Sequence, residues 1–256
     1  MTYSPKDLTN KNRNKLYGKL IRMRKYIAII TGGDRGIGYE TCKELALVGC
    51  HVILTCRKEI DGQRALAKLD SGDKIVFHKL DVTDIEGITS LRDWIVDTYG
   101  RVDIMINNAG VYLDEGVSVF DVDEETMRHT LEVNFYGAFH MCRAFVPLMK
   151  KNKFGRIVNV SSGYGAMSEM GGNVAAYRIS KAALNALTLI MAHELRDTDI
   201  NIKVNAVCPS WVSTDMGGSM ALVTPQAAAK DIVHFALLDE RGPSGGFFRY
   251  KKPIPW

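Results

Sequence analysis

Tyr177 and Lys181 are four residues apart, a spacing that puts both on one face of a helix. Together they could move a proton. A free phenol has a pKa of about 10 and is a poor donor to an alkoxide-like oxygen at neutral pH. A neighbouring ammonium stabilises the phenolate and so lowers that pKa. Taken alone, such a pair is usually an ordinary surface contact. Here Ser161 and Ser162 precede Tyr177, Ser162 by 15 residues, at the end of an apolar run. On or just beyond a strand the two serines face opposite ways, so one of them can point at whatever the phenol serves.

A second constellation lies near the start. TGGDRGIG, residues 31–38, follows an apolar run and opens a helical pattern. Glycines there allow a tight turn and let the backbone approach a pyrophosphate seated on the helix N-terminus. The spacing Gly32-x-x-x-Gly36-x-Gly38 differs from the usual dinucleotide fingerprint of G-x-G-x-x-G. An acidic residue at the end of the second strand would bind a ribose 2′-hydroxyl. Counting from the turn, that position falls near Cys56, where no carboxylate stands and Arg57 follows. Arg35 lies in the turn itself, and two guanidiniums match a 2′-phosphate by charge and geometry.

Around these motifs the chain alternates short β-branched runs with longer helical patterns. Strands are expected at 26–31, 50–55, 74–80, 101–107, 155–161, 201–207 and 245–250. Helices are expected near 36–49, 60–69, 84–99, 123–150, 175–197 and 225–238. Near-continuous apolar strands separated by helices predict an α/β doubly wound Rossmann fold, a seven-stranded parallel sheet covered on both faces in a single domain. That domain spans 26–256, preceded by a basic, poorly ordered extension at 1–25.

The net charge of +4 misleads until it is divided. Residues 1–25 hold eight basic side chains against Asp7, a local +7, which leaves −3 on the rest. The folded body is therefore not a nucleic-acid binder by charge. No apolar run reaches the roughly 18 residues of a membrane span. Five cysteines without a Cys-x-x-Cys pair argue against a disulfide framework or zinc site and for a reducing, cytoplasmic setting. The six histidines form no close ligand motif, and no metal is expected.

The glycine turn, NNAG at 107–110, Ser162 and Tyr177-x-x-x-Lys181 occur in an order and spacing that resemble the short-chain dehydrogenase/reductase family across residues 26–256. The resemblance is to its carbonyl-reductase-like, NADPH-preferring members. It implies a catalytic set of Asn134, Ser162, Tyr177 and Lys181. Ser162 would hydrogen-bond a substrate carbonyl, and Asn134 would hold a water that reaches the lysine. It also implies a cofactor site of Gly32, Asp34, Arg35, Gly36, Ile37, Gly38, Arg57, Asp81, Val82, Asn108, Ala109, Gly110, Tyr177, Lys181, Pro209, Val212 and Thr214. Asp81 also reads as a plain turn carboxylate. Ser210 stands where the family pattern expects glycine. The implied reaction is NADPH-dependent reduction of a small-molecule ketone or aldehyde by a homodimer or homotetramer. A non-catalytic NADPH-binding sensor or scaffold, or an alcohol oxidation, are the other readings. The segment Gly217–Val223 reads as a short, flexible cover, and Gly163–Asn173, with Tyr164, Met167 and Met170, as the opposite wall of the substrate site.

Overall fold

The computed structural model describes residues 25–196 and 199–256. The basic extension at 1–25 falls, but for Lys25, outside the described residues. The strands are β1 Ile27–Thr31, β2 His51–Cys56, β3 Ile75–Lys79, β4 Ile104–Asn107, β5 Phe154–Val160, β6 Asn201–Cys208, β7 Phe247–Arg249 and β8 Lys252–Pro253. The α-helices are α1 Gly36–Leu47, α2 Glu59–Leu69, α3 Ile85–Tyr99, α4 Glu124–Leu131, α5 Gly137–Lys151, α6 Ala175–Glu194 and α7 Pro225–Ala236.

The sheet runs β3-β2-β1-β4-β5-β6-β7-β8, parallel except for the last pair. Consecutive residues on the central strands send side chains to opposite faces, and both faces are buried. Ile30, Leu54, Ile106 and Val158 pack with Leu45 of α1 and Ile232 of α7. Ile29, Ile53, Met105 and Ile157 pack with Leu91 of α3 and Phe145 of α5. This is why the strands read as unbroken apolar runs rather than alternating ones. The order reverses between β1 and β4, and at such a switch point the loops at the carboxyl ends of the strands part to leave a crevice.

The seven expected strands are all present and parallel, and among the described residues the chain adds an eighth, antiparallel strand by turning back after β7. Tyr250 and Lys251 both take left-handed φ values, 54° and 61°, between the paired residues Arg249 and Lys252. A two-residue hairpin of type I′ takes positive φ at both central positions, which Asn-Gly announces and Tyr-Lys does not. The helix expected over 123–150 is broken in the middle. Asp123 caps α4 through the Thr126 N–H at 2.7 Å, and α4 gives way to a π-helical turn, Glu132–Tyr136, before α5 resumes. The wider turn carries Asn134, and single π turns of this kind commonly mark functional positions.

Candidate active site

The crevice at the switch point is a groove of about 510 Å³. At one end it is lined by Arg35, Arg57 and Asp81, in the middle by Asn108, Ala109 and Gly110, and at the other end by Tyr177 and Lys181. Gly32, Asp34, Gly36, Ile37, Gly38, Val82, Pro209 and Thr214 also face it. The groove fits a dinucleotide. Gly36 has φ +54°, and a Cβ on Gly38 would collide with the Gly32 carbonyl, so the turn closes only with glycine at these points. No acidic residue occupies the first turn of α1, so its N-terminus is open to an anion. Asn108 anchors the turn by donating from Nδ2 to the carbonyls of Thr31 and Gly32, at 2.9 and 3.0 Å.

Arg35 is already engaged. Its Nη1 lies 2.9 Å from Asp215 Oδ2, an exposed ion pair that joins the glycine turn to the loop after β6. Asp81 lines the groove, and its Oδ1 accepts from the Thr83 N–H at 2.9 Å, the turn contact read from the sequence. Val212 stands off the groove wall. It is buried and pairs with Val223, so the cover is pinned at its base. Trp211 Nε1 donates to the Gly217 carbonyl at 2.7 Å, which ties the loop further. The expected loose flap is thus braced by backbone pairing the sequence does not display. Ser210 has φ +67°, the left-handed backbone that the missing glycine would take freely, and its hydroxyl is 2.7 Å from the Tyr250 hydroxyl.

At the other end of the groove Lys181, Tyr177, Asn134 and Ser162 lie close together. Lys181 is buried and donates to the Val160 carbonyl at 2.8 Å, its Nζ 5.6 Å from the Tyr177 ring centroid. Asn134 is locked behind it. Its Oδ1 accepts from the Val111 N–H at 2.7 Å, and its Nδ2 donates to the Val111 carbonyl and to Ser180 Oγ at 2.9 and 3.0 Å. Asn134 Oδ1 and Lys181 Nζ lie 3.3 and 3.6 Å from the point where a Cβ on Gly110 would stand. The two serines separate as their alternation requires. Ser161 is buried and donates to Asn185 Oδ1 at 2.6 Å, whereas Ser162 is half-buried beside the Tyr177 phenol.

The phenol does not titrate as expected from the pair alone. Burial pushes the Tyr177 pKa up, and the Ser162 hydroxyl only partly offsets this. The same burial pushes Lys181 down to about 8, because a low-dielectric setting disfavours both charged forms. Tyr177 therefore keeps its proton at neutral pH rather than standing as a phenolate.

Sequence reasoning missed the loop that seats Tyr177. Tyr112 packs its ring 4.9 Å from that of Tyr177. The buried carboxylate of Asp114 accepts from the Ala176 N–H at 2.7 Å, capping α6 from outside the helix. Neither residue carries a local signal, since each acts across more than 60 residues.

With this geometry in view, comparison with known proteins is decisive. Residues 26–222 match the family model for short chain dehydrogenase. The chain belongs to the short-chain dehydrogenase family. It is 31% identical to (+)-neomenthol dehydrogenase of Capsicum annuum, over 89% of this chain and 96% of that one. It is also 31% identical to carbonyl reductase [NADPH] 1 of Mus musculus, over 90% of this chain and 98% of that one. The NADPH-bound carbonyl reductase from chicken fatty liver superposes with a TM-score of 0.82 at 26% identity, covering 91% of this chain and all of its own.

The depressed Lys181 pKa carries a stability consequence with a definite sign. Between pH 8 and the ordinary value of 10.5, the unfolded chain binds a proton at this lysine that the folded protein has lost. Stability therefore rises with pH across that window, and below it the fold carries the cost of a buried charge. Lys181→Met is expected to raise unfolding free energy at pH 7 by up to about 3 kcal/mol, an advantage that vanishes near pH 10.5. Urea unfolding of both proteins from pH 7 to 10.5 checks this; parallel stability curves would show that no buried charge is being relieved.

Proposed function

We propose that this protein reduces a ketone or aldehyde to the alcohol with NADPH. The observation that carries the reading is one groove with Arg35 and Arg57 at one end and Tyr177 and Lys181 at the other. Its relatives include a carbonyl reductase named for NADPH and a carbonyl reductase solved with NADPH bound. NADPH, when bound, supplies the hydride that reaches the carbonyl carbon.

The protein's own residues do the rest. Arg35 and Arg57 hold the 2′-phosphate, for which Arg35 exchanges its exposed pairing with Asp215. Asp34, Gly36, Ile37 and Gly38 seat the pyrophosphate, Asp81 and Val82 the adenine, and Asn108, Ala109 and Gly110 the centre of the groove. Pro209 and Thr214 close over the nicotinamide side, with Val212 holding their loop from behind through its pairing with Val223. Ser162 donates a hydrogen bond to the substrate carbonyl oxygen and polarises it. Tyr177 gives its proton to that oxygen, and Lys181, with a water held near Asn134, returns one to the phenolate. The proton and hydride together account for the two hydrogens gained by the product.

Aromatic and methionine side chains stand exposed along the segments flanking Tyr177: Tyr164, Met167 and Met170 on one, Trp211 and Met216 on the other. They support an apolar substrate entering from an open side. Tyr136, Ile179 and Ile190 leave apolar surface exposed on the π turn and α6, which supports pairing of these helices between copies in a dimer or tetramer. All five cysteines are free and buried, in keeping with a cytoplasmic setting, and no described helix is long and apolar enough to cross a membrane.

Three measurements test the reading. Tyr177→Phe should keep NADPH affinity yet lose most of kcat towards a reactive ketone, and near-normal turnover would assign the acid role elsewhere. Dissociation constants should favour NADPH over NADH, with Arg35→Ala/Arg57→Ala erasing most of the difference; equal affinities in the unaltered protein would refute the 2′-phosphate site. Light scattering at micromolar concentration should give a dimer or tetramer mass, against a monomer if the exposed helix faces stay unpaired.

A further inference from the structure

Beside the catalytic loop lies a cluster that the chemistry above leaves unused. Arg249, the last residue of β7, donates from Nη2 to Glu169 Oε2 at 2.7 Å and from Nε to Cys208 Sγ at 3.4 Å. The same sulfur accepts from the Gly163 N–H at 3.1 Å. Gly163 follows Ser162 directly, and a Cβ on it would collide with both the Arg249 guanidinium and the Glu169 carboxylate. The ion pair therefore packs flat against the backbone immediately behind the serine, in the space a side chain would need.

The pair is not a loose surface contact. Its side chains are 26% and 44% exposed, and the arginine is held on two sides. Glu169 ends a short turn, Met167–Glu169, whose Ser168 N–H donates to the Trp256 carbonyl at 3.1 Å. Trp256 in turn stacks on Phe247 of β7 at 5.4 Å. The segment from Gly163 to Met170 is thus fastened to β7 and the residues after it. Its internal bonds are short-range turns, Gly165 N–H to the Ser162 carbonyl at 2.9 Å, Ala166 N–H to the Gly163 carbonyl at 3.0 Å and Glu169 N–H to the Ala166 carbonyl at 3.1 Å. α6 holds it through Asn185 on the Gly165 carbonyl, so the β7 contacts are what fasten its far end, at Ser168 and Glu169.

We propose that Arg249 is a positioning residue, acting with Glu169 and Cys208 as a brace that fixes Ser162 and the 163–170 wall of the substrate site. This rests on the carbonyl-reductase reading for its kinetic consequence, but the brace itself can be observed without turnover. Without the guanidinium, Glu169 keeps an unpaired carboxylate, Cys208 loses one donor, and the backbone behind Ser162 gains room to shift. A displacement of about 1 Å in a positioned group can cost a hundredfold in rate.

The experiment compares Glu169→Gln, Arg249→Leu and the double variant with the unaltered protein in two ways. Amide hydrogen exchange over residues 163–170 should quicken in all three, with NADPH dissociation constants within twofold of the original. With a reactive ketone, kcat should fall about 10- to 100-fold with a smaller change in KM, and the double variant should cost no more than Arg249→Leu alone. Arg249→Lys, which retains the charge but not the fork that reaches both partners, should fall between. Unchanged exchange in 163–170 overturns the brace, as does quickened exchange with full kcat. Should Arg249→Leu fail to bind NADPH through misfolding, Glu169→Gln at its more exposed position decides alone. If the unaltered protein oxidises no NADPH with any ketone, the proposed reaction fails, and the exchange measurement still decides the brace.

Discussion

The site is organised around one buried charge. Lys181 reaches from α6 to the carbonyl of Val160, the last residue of β5, and both lie out of solvent. Burying an ammonium is unfavourable unless hydrogen bonds satisfy it, so the strand and helix must approach closely and in one register. The neighbouring contacts enforce that register. Asn159 donates to Thr188, Ser161 to Asn185, and Asn185 to the Gly165 carbonyl, at 2.8, 2.6 and 3.0 Å. This polar seam is almost fully satisfied internally, which makes it rigid and intolerant of slippage. Ser162 and Tyr177 inherit their separation from it.

The seam sets where α6 lies, and a loop sets where it begins. Val111 is clasped by Asn134 through both its N–H and its carbonyl, Asp114 caps the Ala176 N–H, and the Val117 carbonyl accepts from the Val174 N–H at 3.0 Å. Asn173 and Val174 are drawn into left-handed backbone, φ 59° and 49°, to enter the helix at this angle. For a β-branched residue that is strained, and the strain is held by the bonds on either side. The π turn belongs to the same arrangement, since it delivers Asn134 to Val111. Strain beside Tyr177 is thus offset by contacts made elsewhere in the chain.

At the far end of the groove the same logic works through charge. The loop after β6 is pinned at Val212 and Val223 and meets the glycine turn where Thr214 touches the space above Gly36, 3.1 Å from where a Cβ would stand. Asp215 completes the contact by pairing with Arg35. An exposed pair of this kind contributes only a fraction of a kcal/mol, about 0–1, so a doubly charged phosphate can displace it readily.

The order of strands and helices, the glycine turn and the Tyr177–Lys181 face were all legible in the sequence, because each rests on local periodicity or on backbone conformations only glycine takes freely. That Ser161 and Ser162 face opposite ways was legible too, through the alternation of a strand, while the choice of Ser162 rested on the family resemblance. What the sequence could not show were contacts between residues distant along the chain: the Asp114 cap, the Arg249 brace and the Arg35–Asp215 pair, each spanning 62 to 180 positions. Nor could it show the upward shift of the Tyr177 pKa. A pairing of residue types predicts an ammonium beside a phenol, but only the folded surroundings decide whether attraction between charges or loss of water dominates. The hairpin at Tyr250–Lys251 and the π turn at Asn134 were hidden for a related reason. Both are local conformations that local propensity disfavours, adopted because tertiary contacts, the Tyr250–Ser210 bond and the Asn134–Val111 clasp, hold them there.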